Sequence, residues 1–177
     1  MNDHDHVIDY SGWFDEGGYC QFYPIKDNKH IGFKEFRSKK KAEYAKSIQD
    51  KLAKFDLAPQ VKSKICRLEF AQEDDCWVPP LSDWGYVTEI ARAGKKNFVP
   101  LKDIQQLVNH IHEKTGLKFW DCHWYNLGLV TRKGRPKLVC IDTGKESFDG
   151  LANAWGFADP GPKCGYCNKY QCRCSEY

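Results

Sequence analysis

Three polar side chains stand in an order that suits one chemistry. Asp121 lies five residues before Asn126 in the segment Phe119-Trp120-Asp121-Cys122-His123-Trp124-Tyr125-Asn126-Leu127-Gly128. Asp142 ends the apolar run Leu138-Val139-Cys140-Ile141 and leads into Thr143-Gly144. One carboxylate that can orient or deprotonate a hydroxyl, with two oxygen ligands for a hard cation such as Mg²⁺, are the groups that phosphoryl transfer needs. Taken singly, Asp121 reads as a cap and Asp142 as a turn residue after a strand. Only the combination, with a hairpin between the parts, carries the chemical reading.

The rest of the chain must place these groups. Its 177 residues suffice for one domain or a domain with an appendage, and 41% hydrophobic content with 14% aromatic supplies a core. A net charge of +3 and a pI near 8.3 give no electrostatic case for nucleic acid. The run Lys39-Lys40-Lys41 and the pair Lys95-Lys96 read as solvated faces or turns. The start, Met1-Asn2-Asp3-His4-Asp5-His6, is polar, and no apolar run has the length of a membrane span or a signal-peptide core, so a cytoplasmic location without membrane contact is expected.

The glycines Gly17-Gly18 open a strand over 17–23, a turn is expected at 24–28 and a second strand at 31–36. Ala42, Ala45, Ile48, Leu52 and Phe55 then recur at helical spacing until Pro59. Strands follow near 63–70 and 84–91, flanking an acidic, Pro-containing loop. Ile104, Leu107, Val108 and Ile111 mark a second helix, with Pro100 near its start and Gly116 as its stop. A hairpin of 127–131 and 137–141 is joined by Lys133-Gly134-Arg135-Pro136. The order, β-β-β-α-β-β then α and a hairpin, is α+β.

With these elements in place, Asp121, Asn126 and Asp142-Thr143-Gly144 resemble the catalytic and metal-binding loops of the protein-kinase-like superfamily over most of residues 10–150. The resemblance implies a reduced kinase-like fold. It consists of a β-rich N-lobe with one helix, about residues 1–90, and a truncated C-lobe, about 91–155. It assigns Gly17 and Gly18 to the nucleotide phosphates, Lys34 to the α- and β-phosphates, and Glu43 to an ion pair with Lys34, with Asp50 as the rival acid. Backbone groups at 88–91, including Glu89, would meet adenine. Asp121 becomes the catalytic base, and Asn126 and Asp142 hold Mg²⁺ with ATP. His123, two after Asp121 where most protein kinases have Lys, is similar to small-molecule kinases and would donate to the transferring phosphoryl group or brace the loop.

The chain departs from the family in three places. Phe119 stands where a bracing His is usual, and Thr143 where the metal-binding loop has an aromatic. About thirty residues follow Gly144, too few for an activation segment and the peptide-docking helices. The expected form is therefore minimal, comparable to compact kinase-like proteins of phage and viral genomes. Such a loss would leave an apolar face for self-association or a protein partner.

The tail, residues 156–177, is a separate unit. Cys164-Gly165-Tyr166-Cys167 and Cys172-Arg173-Cys174 offer four thiolates within eleven residues, a set suited to a tetrahedral Zn²⁺ knuckle. Zinc would staple a segment too short to fold alone. A knuckle that contacts nucleic acid through Tyr166, Lys169, Tyr170 and Arg173, and an iron centre, are the other readings of these residues. Among function classes, the residues favour a phosphotransferase acting on a hydroxyl of a protein or small molecule. The alternative is a catalytically silent nucleotide-binding or regulatory module acting through its zinc tail.

Overall fold

The computed structural model describes residues 15–16, 20–67, 84–93 and 99–148. The chain is mixed α+β, with two antiparallel sheets and few helices. Two residues, Asp15–Glu16 (β1), pair with Cys20–Ile25 (β2), which pairs in turn with Asn28–Phe36 (β3). The β2–β3 turn is tighter than the sequence suggests. Pro24 and Ile25 stay in the strand across a register shift, and Asp27 takes the left-handed conformation at φ 63° that closes the turn.

Lys39–Ala53 (α1) begins at Ser38, whose hydroxyl accepts from the Lys41 N–H at 3.3 Å. Ala42, Ala45, Ile48, Gln49 and Leu52 form its buried face. Phe55, expected on that stripe, lies beyond the helix end and is exposed, because the chain turns at Asp56 with φ 57°. The linker then runs past β5, Trp84–Glu89, with Val61 bridging to Thr88, and continues into Cys66–Arg67 (β4). The first sheet has the order β1-β2-β3-β5-β4.

Arg92–Ala93 (β6) leaves this sheet for a second one, joining Leu127–Arg132 (β7) and Arg135–Cys140 (β8). The β7–β8 turn needs only Lys133 and Gly134, at φ 50° and 76°, a two-residue turn whose twist matches the hairpin. Arg135 and Pro136, expected in the turn, are already strand. Leu101–Thr115 (α2) ends as anticipated at Gly116, whose φ of 71° is left-handed and whose N–H caps His112 O. It buries Ile104, Leu107 and Ile111.

The largest core unites α1, α2 and the hairpin through Leu52, Leu57, Ile104, Leu107, Ile111, Phe119, Leu127, Cys140 and Phe148. This core holds the hairpin against α1 and α2. A short helix, Lys145–Phe148 (α3), follows β8. No helix among the described residues is long and apolar enough to cross a membrane.

Candidate functional site

The loop 119–126 is held from both ends. Phe119 is buried and stacks on Phe148 of α3, with ring centroids 5.1 Å apart and an interplanar angle of 8°. Trp120 N–H donates to Ser147 O at 2.9 Å. An apolar stack and a backbone bond thus brace the loop at Phe119 and Trp120. The loop closes on itself through His123 N–H to Asp121 O and Asn126 N–H to His123 O, which folds Trp124–Asn126 into a 3-10 turn before β7.

Within this loop three polar side chains converge. Asn126 is buried, and its Nδ2 donates to Asp121 O at 2.8 Å and to Asp121 Oδ2 at 3.0 Å. His123 Nε2 lies 3.2 Å from Asp121 Oδ1 and 3.3 Å from Asn126 Nδ2. Both hydrogens of the Asn126 amide are spent on Asp121, so the consistent arrangement has Nε2–H of His123 donating to the carboxylate. That hydrogen bond, aided by the imidazole's charge when protonated and by Asn126, holds the Asp121 carboxyl below its ordinary range against the opposing effect of burial. Asp121 remains half exposed. Asn126 Oδ1 accepts no hydrogen bond from the described residues and is left as an oxygen donor.

Asp142 lies beside Asn126. Ile141 N–H donates to Asn126 O at 2.9 Å, and Asp142 N is 3.5 Å from the same carbonyl. The Asp142 side chain forms a turn over its own backbone, Oδ1 accepting from Gly144 N–H and Oδ2 from the Ser147 hydroxyl, each at 2.8 Å. Each carboxylate oxygen keeps a further lone pair. Gly128, opposite Val139, is required sterically here: a Cβ would sit 2.9 Å from both Ala91 Cβ and Ile141 Cγ2.

Lys34 reaches this loop from the other sheet, 107 residues away in sequence. Its Nζ donates to Ile141 O at 2.8 Å and to Thr143 Oγ1 at 3.4 Å. Burial acts to strip its proton, but Tyr86, Cys20, Asp142 and Cys140 around it outweigh that and raise its pKa. Burial drives the Tyr86 phenol up to about 12 and the Cys140 thiol well above its usual value, so both are neutral near pH 7.

Other sequence candidates sit elsewhere. Glu43 is exposed on the outer face of α1 and pairs with Lys39 at 3.8 Å, not with Lys34. Next to Ala42 on the helix, it is turned about 100° off the buried stripe. Asp50 pairs with Lys46 at 2.7 Å. The Glu89 carboxylate is engaged by Arg132 and the Gln60 N–H, while its own N–H donates to Gln60 O. Gly17, Gly18, Cys164, Cys167, Cys172 and Cys174 lie outside the described residues. Among the described residues no three or more His, Cys, Asp or Glu side chains are grouped to hold a metal.

Sequence reasoning missed Ser147, Phe148, Tyr86 and Gln49. Ser147 alone had a local signal, five residues after Asp142 within a short helix. No family model, curated protein or solved structure matches the chain.

Proposed function

We propose that this chain is an ATP- and Mg²⁺-dependent phosphotransferase of reduced kinase-like fold, acting on a hydroxyl of a protein or small molecule. The observation that carries the reading is that Lys34 bonds Ile141 O and Thr143 Oγ1, on either side of Asp142, while the Ile141 N–H bonds the carbonyl of Asn126, whose side chain is bonded to Asp121. A buried ammonium, two oxygen donors and a partly exposed carboxylate from three separate segments have the makings of a phosphate-transfer site. The strand order, with α1 between β3 and β4 and the hairpin after the Asp121 loop, fits the same reading.

The residues present suit a hard cation. Asn126 Oδ1 and the Asp142 carboxylate are oxygen ligands of the kind Mg²⁺ takes, and the metal would neutralise phosphate charge. Lys34 would exchange its Ile141 carbonyl acceptor for a phosphate oxygen while the Thr143 hydroxyl continues to hold it. Asp121, ionised and oriented by His123 and Asn126, would accept the proton of the acceptor hydroxyl as its oxygen bonds to the γ-phosphorus and ADP departs. His123 holds the Asp121 carboxylate in place. The four-cysteine tail would bind zinc as a structural staple.

One observation favours the alternative of a silent nucleotide-binding module: Glu43, the α1 acid expected to pair with Lys34, bonds Lys39 instead. Asp121→Asn separates the two readings. Loss of transfer with unchanged MgATP affinity supports catalysis, and unchanged transfer removes Asp121 from it.

A further inference from the structure

Lys34 and Tyr86 are direct cross-strand partners on β3 and β5, so their side chains share the sheet face that α1 covers. Phe36 completes this face, stacked on Tyr86 at 5.7 Å with the Lys34 ammonium 5.7 Å from its ring. Here Gln49, 1% exposed, replaces an acid as the polar residue α1 turns inward.

The polar groups here line up in one direction, with hydrogen bonds on either side of the Thr143–Tyr86 junction. Lys34 can only donate, and gives one hydrogen to Thr143 Oγ1 at 3.4 Å. The Thr143 hydroxyl is close enough to the Tyr86 phenol to favour its ionised form against burial. Tyr86 O–H in turn donates to Gln49 Oε1 at 2.8 Å. Gln49 Nε2 donates to Thr88 Oγ1 at 2.6 Å and to Pro59 O at 2.9 Å, and the Thr88 hydroxyl ends the chain on Gln60 O at 3.1 Å. A donor-only ammonium at one end and acceptor-only carbonyls at the other leave a single orientation for every hydroxyl and for the Gln49 amide. Thr143, Tyr86 and Gln49 are each below 2% exposed, so no water is at hand to replace a lost link.

Resting on the phosphotransfer reading, we propose that Tyr86 is a positioning residue: through Thr143 on one side and Gln49 on the other, it ties Lys34 and the Asp142 loop to helix α1. The uncharged chain replaces the helix carboxylate that would otherwise orient a phosphate-binding lysine. Thr143, at the position after the metal-binding aspartate, has this as its role. Movement of α1 is thereby coupled to the Asp142 loop without an ion pair.

The test uses the full chain with ¹⁵N-labelled lysine. Hydrogen exchange of the Lys34 ammonium is followed by NMR, its resonance identified by loss in Lys34→Arg, and MgATP affinity is measured by calorimetry. Tyr86→Phe and Thr143→Val each remove one hydroxyl with little change in volume. Each is expected to speed Lys34 exchange and to weaken MgATP binding by up to about tenfold, the value of a single net hydrogen bond. The double variant should be no worse than either single one, since one break opens the chain. Lys34 exchange at the wild-type rate in folded Tyr86→Phe and Thr143→Val overturns the proposal, as does a double variant in which the losses simply add. Wild type that binds no MgATP, with exchange still dependent on Tyr86, refutes the phosphotransfer reading and leaves the chain standing.

Discussion

Arg132 is the residue whose loss has the most readable structural consequence. At the end of β7 its guanidinium grips Glu89 with both terminal nitrogens, one at 2.6 Å, and Asp56 with Nε at 3.0 Å. It thus joins the hairpin, the last residue of β5 and the turn after α1. The Arg132 and Glu89 side chains are 22% and 20% exposed, while Asp56 is nearly half exposed. An exposed pair contributes up to about 1 kcal/mol, and removing one partner of a buried pair costs about 3–5 kcal/mol. A forked, mostly buried contact falls between these, so Arg132→Met is expected to cost about 2 kcal/mol. In a chain of this size that lowers the melting temperature by about 4–8 °C.

The pH dependence has a definite sign. Burial tends to raise the Glu89 pKa, but hydrogen bonds from Arg132 and the Gln60 N–H prevail and lower it. A depressed carboxyl stabilises the fold above its unfolded value, about 4.3, and that contribution is lost as pH falls through the folded pKa. Urea melts of wild type and Arg132→Met at pH 7, and in steps down to about pH 3, should show a gap that is full at pH 7 and closes on acidification. A gap that is absent at pH 7, or that persists unchanged in acid, refutes the reasoning.

Gly128→Ala should cost about 1–3 kcal/mol in a denaturant melt, because its Cβ is 2.9 Å from Ala91 and Ile141 and has no flexible side chain to displace. His123→Leu removes the bond that lowers the Asp121 pKa, so the acid limb of a transfer-versus-pH profile should move toward higher pH. An unmoved limb would dissociate Asp121 from that limb. Native mass spectrometry of the full chain should find one zinc, lost when Cys164 and Cys167 are both changed to Ser; a metal-free wild type contradicts the zinc assignment.

The parts legible in the sequence are those written in local spacing. The stripe from Ala42 to Leu52 places α1, Gly116 ends α2, and the five-position spacing of Asp121 and Asn126 lets one tight turn bring both groups together. The strand pattern around Lys34 places that residue. What spacing cannot show is which residues of distant segments meet. The β3–β5 register that puts Tyr86 opposite Lys34, and the helix rotation that turns Gln49 inward and Glu43 outward, are both set by packing. Glu89 ends β5, and its partner Arg132 lies 43 residues ahead, in a hairpin whose approach depends on the shared core. Phe119 reads in the sequence as the loss of a brace, and only the fold supplies its stacking partner, Phe148.

The central claim is tested most directly by transfer of labelled γ-phosphate from MgATP to the protein itself and to a panel of proteins and small hydroxyl compounds. Wild type, Asp121→Ala and Asp142→Ala are run side by side. The account predicts label on at least one acceptor with wild type and none above background with either variant; label that survives both substitutions, or its absence from every acceptor with wild type, contradicts it.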